Sequence, residues 1–346
     1  MAMSSLQMGL VAAGSLVLVI MIVHSVWSAR KNHPRQARLD EKTSQSDIVR
    51  DSEPELDAAA LDVAKFPLPT PEKKLAMDPL IDVLAPLKLD GPIMGEAVLA
   101  ALPKTRRVGS KPFSVEGFNA TTQRWEIPVV NQSFTGLQAG VQLANRSGAL
   151  NDIEYSEFVS KTQTFCDAVN ATPDFPDMRE EVARARELDQ FASDHDAQLV
   201  FVLRALNAAW SPGYVQQNVA RLGFVSGVIP GRMVIAASVV GLPPLLTLSF
   251  DMQTAMNDDS DLSAIREISI SLDVAQVDRN EKVFARMREA ALTLADSMEG
   301  VVTDDNGIAL SPESMDVIGT ELERLYDTLD QRDLSAGSAL ARRLFS

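Results

Sequence analysis

The sequence predicts an α+β protein behind a membrane anchor: a single N-terminal transmembrane helix, a flexible linker, then antiparallel sheets with helices on one face. Three observations predict it. Leu6 to Trp27 contains no Asp, Glu, Lys or Arg. From Met77 onward, period-two strand patterns alternate with amphipathic helical ones. The clearest strand, Glu267 to Ala275, sets Ile268, Ile270, Leu272 and Val274 against Ser269, Ser271 and Asp273. Such alternation belongs to a sheet with one buried and one open face.

Composition supports that reading. The chain has 346 residues, 46% hydrophobic and 23% charged, which is globular. At about 100–200 residues per domain, two folded units are expected. The net charge of −15 repels a polyanion, so nucleic acid is excluded as a partner. One cysteine, Cys166, excludes an internal disulfide framework and fits a reducing compartment. His24, His33 and His195 are scattered, so neither a His-based metal site nor a triad is supported and no cofactor is expected.

The anchor spans residues 6–27, with Leu16, Val19 and Ile22 in its apolar heart. At 1.5 Å per residue it reaches about 33 Å, enough for a hydrocarbon core of about 30 Å. No basic residue precedes it, and Trp27 stands three residues before a cut after Ala29, so an uncleaved anchor is expected rather than a signal peptide. Arg30, Lys31, Arg35 and Arg38 follow directly, which orients the C-terminal bulk to the cytoplasm and the short N-terminus outward. Trp27 suits the interfacial belt, and Arg30 and Lys31 suit lipid head-groups.

Residues 28–77 read as a flexible linker. It begins basic, turns acidic and ends in Phe66-Pro67-Leu68-Pro69-Thr70-Pro71, a polyproline-like stretch. Strands are then expected at Leu80–Leu84, Phe113–Phe118, Trp125–Val130 and Gln138–Leu143, with helices at Pro92–Leu102, from Asp152, and at Asp177–Phe191. The same order recurs: strands at Gln198–Leu203, Arg232–Ala237, Leu245–Met252, Glu267–Ala275 and Val301–Thr303, helices at Ser211–Leu222 and Asn280–Met298 and from Ser311. Element order thus suggests two tandem β-α-β-β-β-α modules, 78–193 and 194–333, with 334–346 as a tail.

Enzyme motifs do not hold. Gly223, Gly227 and Gly231 lack a following Gly-Lys-Ser/Thr. Asp194-His195-Asp196 has no second ligand cluster and reads as a turn. Asp304-Asp305 is explained by turn chemistry with Asn306-Gly307. Cys166 reads as a small core residue.

Two stretches carry a family resemblance. Val23-His24-Ser25-Val26-Trp27-Ser28-Ala29-Arg30-Lys31 resembles the end of the membrane helix of the ZipA family of bacterial division proteins. Leu294-Ala295-Asp296-Ser297-Met298-Glu299-Gly300-Val301-Val302-Thr303-Asp304-Asp305 is similar to that family's helix, Gly-Val-Val strand and Asp-Asp turn, and Ser311-Pro312-Glu313 to its next helix start. The resemblance covers 6–31 and about 196–330. The linker is shorter than the family's, and the 78–193 module is an addition that could be a second binding surface, a dimerisation unit or a spacer.

The resemblance implies a split β-α-β fold and a function. The protein would tether FtsZ filaments to the inner membrane at the septal ring, binding the FtsZ C-terminal tail in an apolar groove on a sheet face, with no catalytic activity. Carried over strand by strand, it implies a groove from Val202 and Arg204, Met233 and Ile235, Phe250 and Met252, and Ser269 and Ser271. A larger apolar residue is expected where Ser271 stands. Leu246 and Leu248 share a face with Phe250 and Met252, which also suits a core role for that strand. Partners would be the FtsZ tail and inner-membrane lipid, with self-association left open. The rival reading is a membrane-anchored regulatory module that binds a small ligand or another cytoplasmic partner.

Overall fold

The computed structural model describes residues 77–251 and 264–346. The anchor, with Leu16, Val19, Ile22, Trp27, Arg30 and Lys31, lies outside the described residues, as do the linker and Met252. Among the described residues no helix is long and apolar enough to cross a membrane. The architecture is α+β with antiparallel sheets. The chain divides into two compact units.

The first unit holds Pro71–Gln198, described from Met77, with Asp273–Glu281 and Thr320–Ser346. Its elements are β1 (Asp82–Leu89), β2 (Ile93–Met94), α1 (Gly95–Ala101), β3 (Arg107–Val108), β4 (Lys111–Asn119), β5 (Trp125–Glu126), β6 (Ser133–Gln142), β7 (Ala144–Asn145), β8 (Gly148–Ala149), α2 (Asp152–Val169), β9 (Ala171–Pro173) and α3 (Met178–His195). The main sheet runs β3-β4-β6-β1-β9, with β2 on β6 and β5 on β4. Helices cover the side carrying Val83, Ala85, Phe113, Val115, Leu137 and Ala139, all buried. Phe113 meets Phe158 of α2 with ring centroids 6.1 Å apart.

Three strand expectations needed revision here. The strand expected at Leu80–Leu84 runs from Asp82 to Leu89, because the Ile81 and Asp82 N–H groups close a turn on the Asp78 carbonyl. The strand expected to Val130 stops at Glu126, because Pro128 has no N–H for a ladder. Strand β6 begins five residues before Gln138, because Gly136 blurs the alternation that marks a strand.

The second unit holds Leu199–Leu272 and Lys282–Gly319. It is built from β10 (Gln198–Ala205), α4 (Pro212–Ala220), β11 (Val225–Ser226), β12 (Arg232–Ile235), β13 (Leu246–Ser249), β14 (Glu267–Asp273), α5 (Val283–Met298), β15 (Gly300–Thr303) and the first residues of α6 (Pro312–Asp330). Its six strands run β11-β12-β13-β14-β10-β15. Ser211 caps α4 by accepting the Tyr214 N–H at 3.2 Å, with Pro212 at the first helical position. Trp210 is fully buried and donates Nε1–H to the Met298 carbonyl at 2.8 Å. Phe201 of β10 packs on Phe284 of α5, which identifies the helix-covered side.

The two sheets share a core topology. In each, the first strand (β1, β10) lies between the long strand before the second helix (β6, β14) and the short strand after it (β9, β15), with β4 or β13 outside the long strand. Both second helices end on a left-handed residue, Asn170 (φ 50°) or Glu299 (φ 51°), and the chain turns directly into the short strand.

The units interleave in sequence rather than meeting near residue 194. Residues 334–346, expected as a tail, pack into the first unit. Leu334, Leu344 and Phe345 are buried, and α7 (Ala339–Leu344) supplies Arg343, whose guanidinium meets the buried Asp82 carboxylate at 2.5 Å. Burial raises the Asp82 carboxyl above its ordinary range, against the lowering pull of Arg343. The short segment after β14 packs here too: Gln276 Nε2 donates to the Phe345 carbonyl at 2.6 Å.

Candidate functional site

The open face of the second unit is decided by register. Met233 pairs with Leu248 and Ile235 with Leu246, and all four side chains point to the helices. Arg232 and Val234 point the other way, opposite Ser249 and Thr247, which in turn lie opposite Ser269 and Ser271. Across the open face the strands therefore present Val234-Thr247-Ser271 and Arg232-Ser249-Ser269. Val202 and Arg204 of β10 show the same outward alternation, with Val202 opposite Thr303.

This splits the residues expected to form one groove. Val202, Arg204, Ser269 and Ser271 do share the open face. Met233 and Ile235 are core residues, only 5% and 7% exposed, because strand alternation puts them on the side of Leu246 and Leu248. Phe250 is also buried, at 8% exposure, just beyond the end of β13. The expected apolar groove therefore loses Met233 and Ile235, and hydroxyls take their place, while Phe250 still borders the open face at one end.

A hollow of about 540 Å³ occupies this face. Val202, Arg204, Ser249, Phe250, Glu267, Ser269 and Asp305 are among its lining residues. Ser249 and Ser269 share a hydroxyl–hydroxyl hydrogen bond of 2.8 Å, and the Ser271 hydroxyl donates to the Thr247 carbonyl at 3.3 Å. The floor is thus a pre-formed hydroxyl ladder. Arg204 Nε lies 3.3 Å from Glu267 Oε2, a half-exposed pair worth little as a stabiliser. The pair nonetheless sets a cation and an anion side by side at the rim.

The turn after β15 lies beside that arginine. Ile308 N–H donates to Asp304 Oδ1 at 2.7 Å, and Gly307 N–H to the Asp304 carbonyl at 3.1 Å. Gly307 has φ +85°, and a Cβ there would lie 2.6 Å from Arg204 Nη1. The positive φ favours glycine in the turn, and the missing side chain leaves the guanidinium room beside it. The Asp-Asp-Asn-Gly turn seen in the sequence thus has a second role, bringing Asp305 to the hollow.

Sequence reasoning missed Ser249, Glu267 and Asp305. Ser249 was legible as the neighbour of Phe250 once the parity of Leu246 and Leu248 was followed. Asp305 was not, because a turn residue reaches the face only through tertiary structure.

The discarded motifs have structural explanations. His195 stacks on Phe191 at 4.3 Å, with Nδ1 2.7 Å from the Phe191 carbonyl. Asp196 forms a bidentate pair with Arg146, which also holds Asp273 at 2.7 Å. Cys166 is fully buried on α2, and burial pushes its thiol up to about 11, which makes it an inert core residue. No protein-family model matches the chain, and no curated protein matches it.

Proposed function

We propose that this is a membrane-anchored cell-division protein that tethers FtsZ filaments to the bacterial inner membrane, with the FtsZ C-terminal tail lying across the open face of the second unit. The observation that carries the reading is the six-stranded sheet that, among the described residues, is covered by helices on one side, with a hollow on the other at Val202, Arg204 and Ser269. The family resemblance of residues 294–305 supplies the partner. The anchor and the basic residues after it supply the membrane, with the folded bulk on the cytoplasmic side. No catalytic step is assigned.

The physics suits a tether. Val202 offers apolar contact, the serine ladder accepts and donates, and the Arg204–Glu267 pair can be exchanged for charges on the tail. A few such contacts, minus the cost of ordering a peptide, give micromolar-type affinity. Holding many copies on one membrane along one polymer then multiplies weak contacts.

The test is a calorimetric titration of the full chain in lipid nanodiscs with the FtsZ tail peptide. Saturable one-site binding is expected, weakened at least tenfold by Val202→Asp and by Arg204→Ala. A folded chain that does not bind overturns the reading. The hydroxyl and arginine lining favours the rival reading, a regulatory module for a small polar ligand, and that reading gains if the peptide fails.

A further inference from the structure

In the first unit the exposed charge and the exposed apolar surface meet at a sheet edge. The open face itself is partly covered: a Cβ on Gly140 of β6 would stand 2.3 Å from Met77 Sδ, so the thioether fills that notch. The outer edge of β4 is different. It carries β3 at one end, with Arg107 opposite Pro112, and β5 at the other, with Trp125 opposite Phe118. The six steps from Pro112 to Phe118 make this edge about 20 Å long. Residues 97–125, which build it, hold Lys104, Arg106, Arg107, Lys111 and Arg124 against one acid, Glu116. Glu116 is 1% exposed and Lys111 is buried, whereas the other four are exposed. The charge this stretch shows to solvent is therefore positive, in a chain of net −15. Lys161 of α2 donates to Thr105 Oγ1 at 3.2 Å and to the Arg107 carbonyl, which pins the basic loop to the helix.

The β5 end adds apolar surface. Met94, Trp125, Val129 and Val130 are all exposed, Val130 at 55%. A Cβ on Gly95 would stand 1.9 Å from the Val129 carbonyl oxygen, so the backbone next to Met94 touches that of Val129. The Trp125 ring meets Phe118 edge-on at 5.5 Å and is held there. The carboxylates at this end are engaged locally, Glu96 by the Asn131 N–H at 2.8 Å and Glu126 by Asn119 Nδ2 at 3.0 Å.

We infer that this edge lies on an anionic bilayer surface, with Trp125, Val129 and Val130 in the head-group layer and Lys104, Arg106 and Arg107 on lipid phosphates. The inference rests on the anchored reading for the presence of lipid, and not on FtsZ binding. Two observations favour lipid. A strongly acidic protein is repelled by an anionic surface, so it can approach only through a segregated basic edge, and residues 97–125 supply one. Tryptophan and branched aliphatic side chains exposed beside cations are the composition of an interfacial segment, since the indole ring settles at head-group level. A plane laid along the edge meets the basic loop and the apolar loop together. The anchor supplies local concentration, so a weak second contact suffices. That contact then fixes which side of the first unit faces the membrane.

Quenching of a dye by brominated lipid tests this on the full chain. Thr121→Cys puts the dye in the exposed turn between β4 and β5, and Glu187→Cys puts it on the exposed side of α3, while Cys166 is buried and stays silent. Each chain is placed in nanodiscs of brominated phosphatidylcholine, alone or mixed with phosphatidylglycerol. In the anionic discs, quenching is expected to be at least threefold stronger at Thr121→Cys than at Glu187→Cys. It should fall at least threefold in neutral discs, at high salt, and when Arg106→Glu and Arg107→Glu are combined. Val129→Ser with Val130→Ser should lower it too, with the urea midpoint unchanged because both side chains are exposed. Equal quenching at the two sites overturns the proposal. So does quenching that ignores lipid charge and the two arginines, which would leave the edge to a protein partner. A chain that stays out of nanodiscs refutes the anchor instead. Vesicles of the same two compositions then put the question to the edge directly, and a dye left unquenched there also overturns the proposal.

Discussion

Two sheets in one chain share a strand order and a helix-covered side, yet their open faces differ. The second unit shows a hydroxyl ladder with Arg204 and Glu267 at its rim and a hollow above it. The first shows glycines, a buried Glu116 and Met77 lying across them. The side that packs on helices is mostly apolar, with a polar residue admitted only where it is hydrogen-bonded, as Lys111 is to Asn145, so the two inner faces converge. The outer faces carry no such constraint and have been free to specialise. Function is therefore sought on the outer faces, and tests should separate a face from its reverse.

The largest expected effect does so on adjacent residues of one strand. Met233→Glu places a carboxylate among Leu246, Leu248 and the helices without a partner. Unpaired buried charge costs about 3–5 kcal/mol or more, so the second unit should lose its cooperative unfolding transition. Val234→Glu, one residue along and outward, should stay within about 0.5 kcal/mol of the parent, as surface changes do. Urea denaturation of both variants checks this. Equal damage from the two would mean that the outward face is covered as well, and the contrast between faces would fail.

The next effect concerns what completes the first unit. Arg343→Ala leaves Asp82 buried and unpaired beneath α7, which should destabilise that unit by about 3 kcal/mol at neutral pH. The pH dependence has a definite sign. With the guanidinium gone, burial dominates and the folded carboxyl titrates well above the ordinary carboxylate range. The folded state then holds the proton more tightly than the unfolded state. The loss should be small in acid and grow as pH rises through that window. Urea midpoints of parent and variant between pH 4 and 8 give the comparison. A loss independent of pH would assign Arg343 a packing role instead.

These residues also show what could be read from sequence. Helices and long strands were legible because apolar periodicity is local, and the repeated element order was visible for the same reason. The faces were legible only where alternation is unbroken, as in β14. In β12, a strand of four residues, Met233 and Ile235 alternate with Arg232 and Val234, and the charge of Arg232 is the single local sign that its set faces outward. The register against Leu246 and Leu248 decides it, and register is a tertiary fact. Arg343 was illegible for a stronger reason: its partner stands 261 residues away. Met77 was hidden by the glycine opposite it, since a notch is an absence that shows only once two strands are paired.

The smallest expected effect sharpens the comparison at the helix ends. Helices α2 and α5 both close on a left-handed residue whose N–H returns to the carbonyl four residues back, Cys166 for Asn170 and Ala295 for Glu299. Asparagine tolerates that conformation; glutamate does so poorly, having no short side chain to bond its own backbone. Relief of strain at φ 51° should therefore outweigh the added freedom of the unfolded chain when glycine replaces Glu299. Glu299→Gly should stabilise the second unit by about 0.5–1 kcal/mol, whereas Asn170→Gly should change the first by no more than a few tenths. Glu299 also accepts from Asn207 Nδ2 at 3.4 Å, an exposed and long hydrogen bond. Thermal melts of the two variants decide the point. A destabilising Glu299→Gly would show that the glutamate side chain secures the α5–β15 turn, a role the first unit gives to no charged residue.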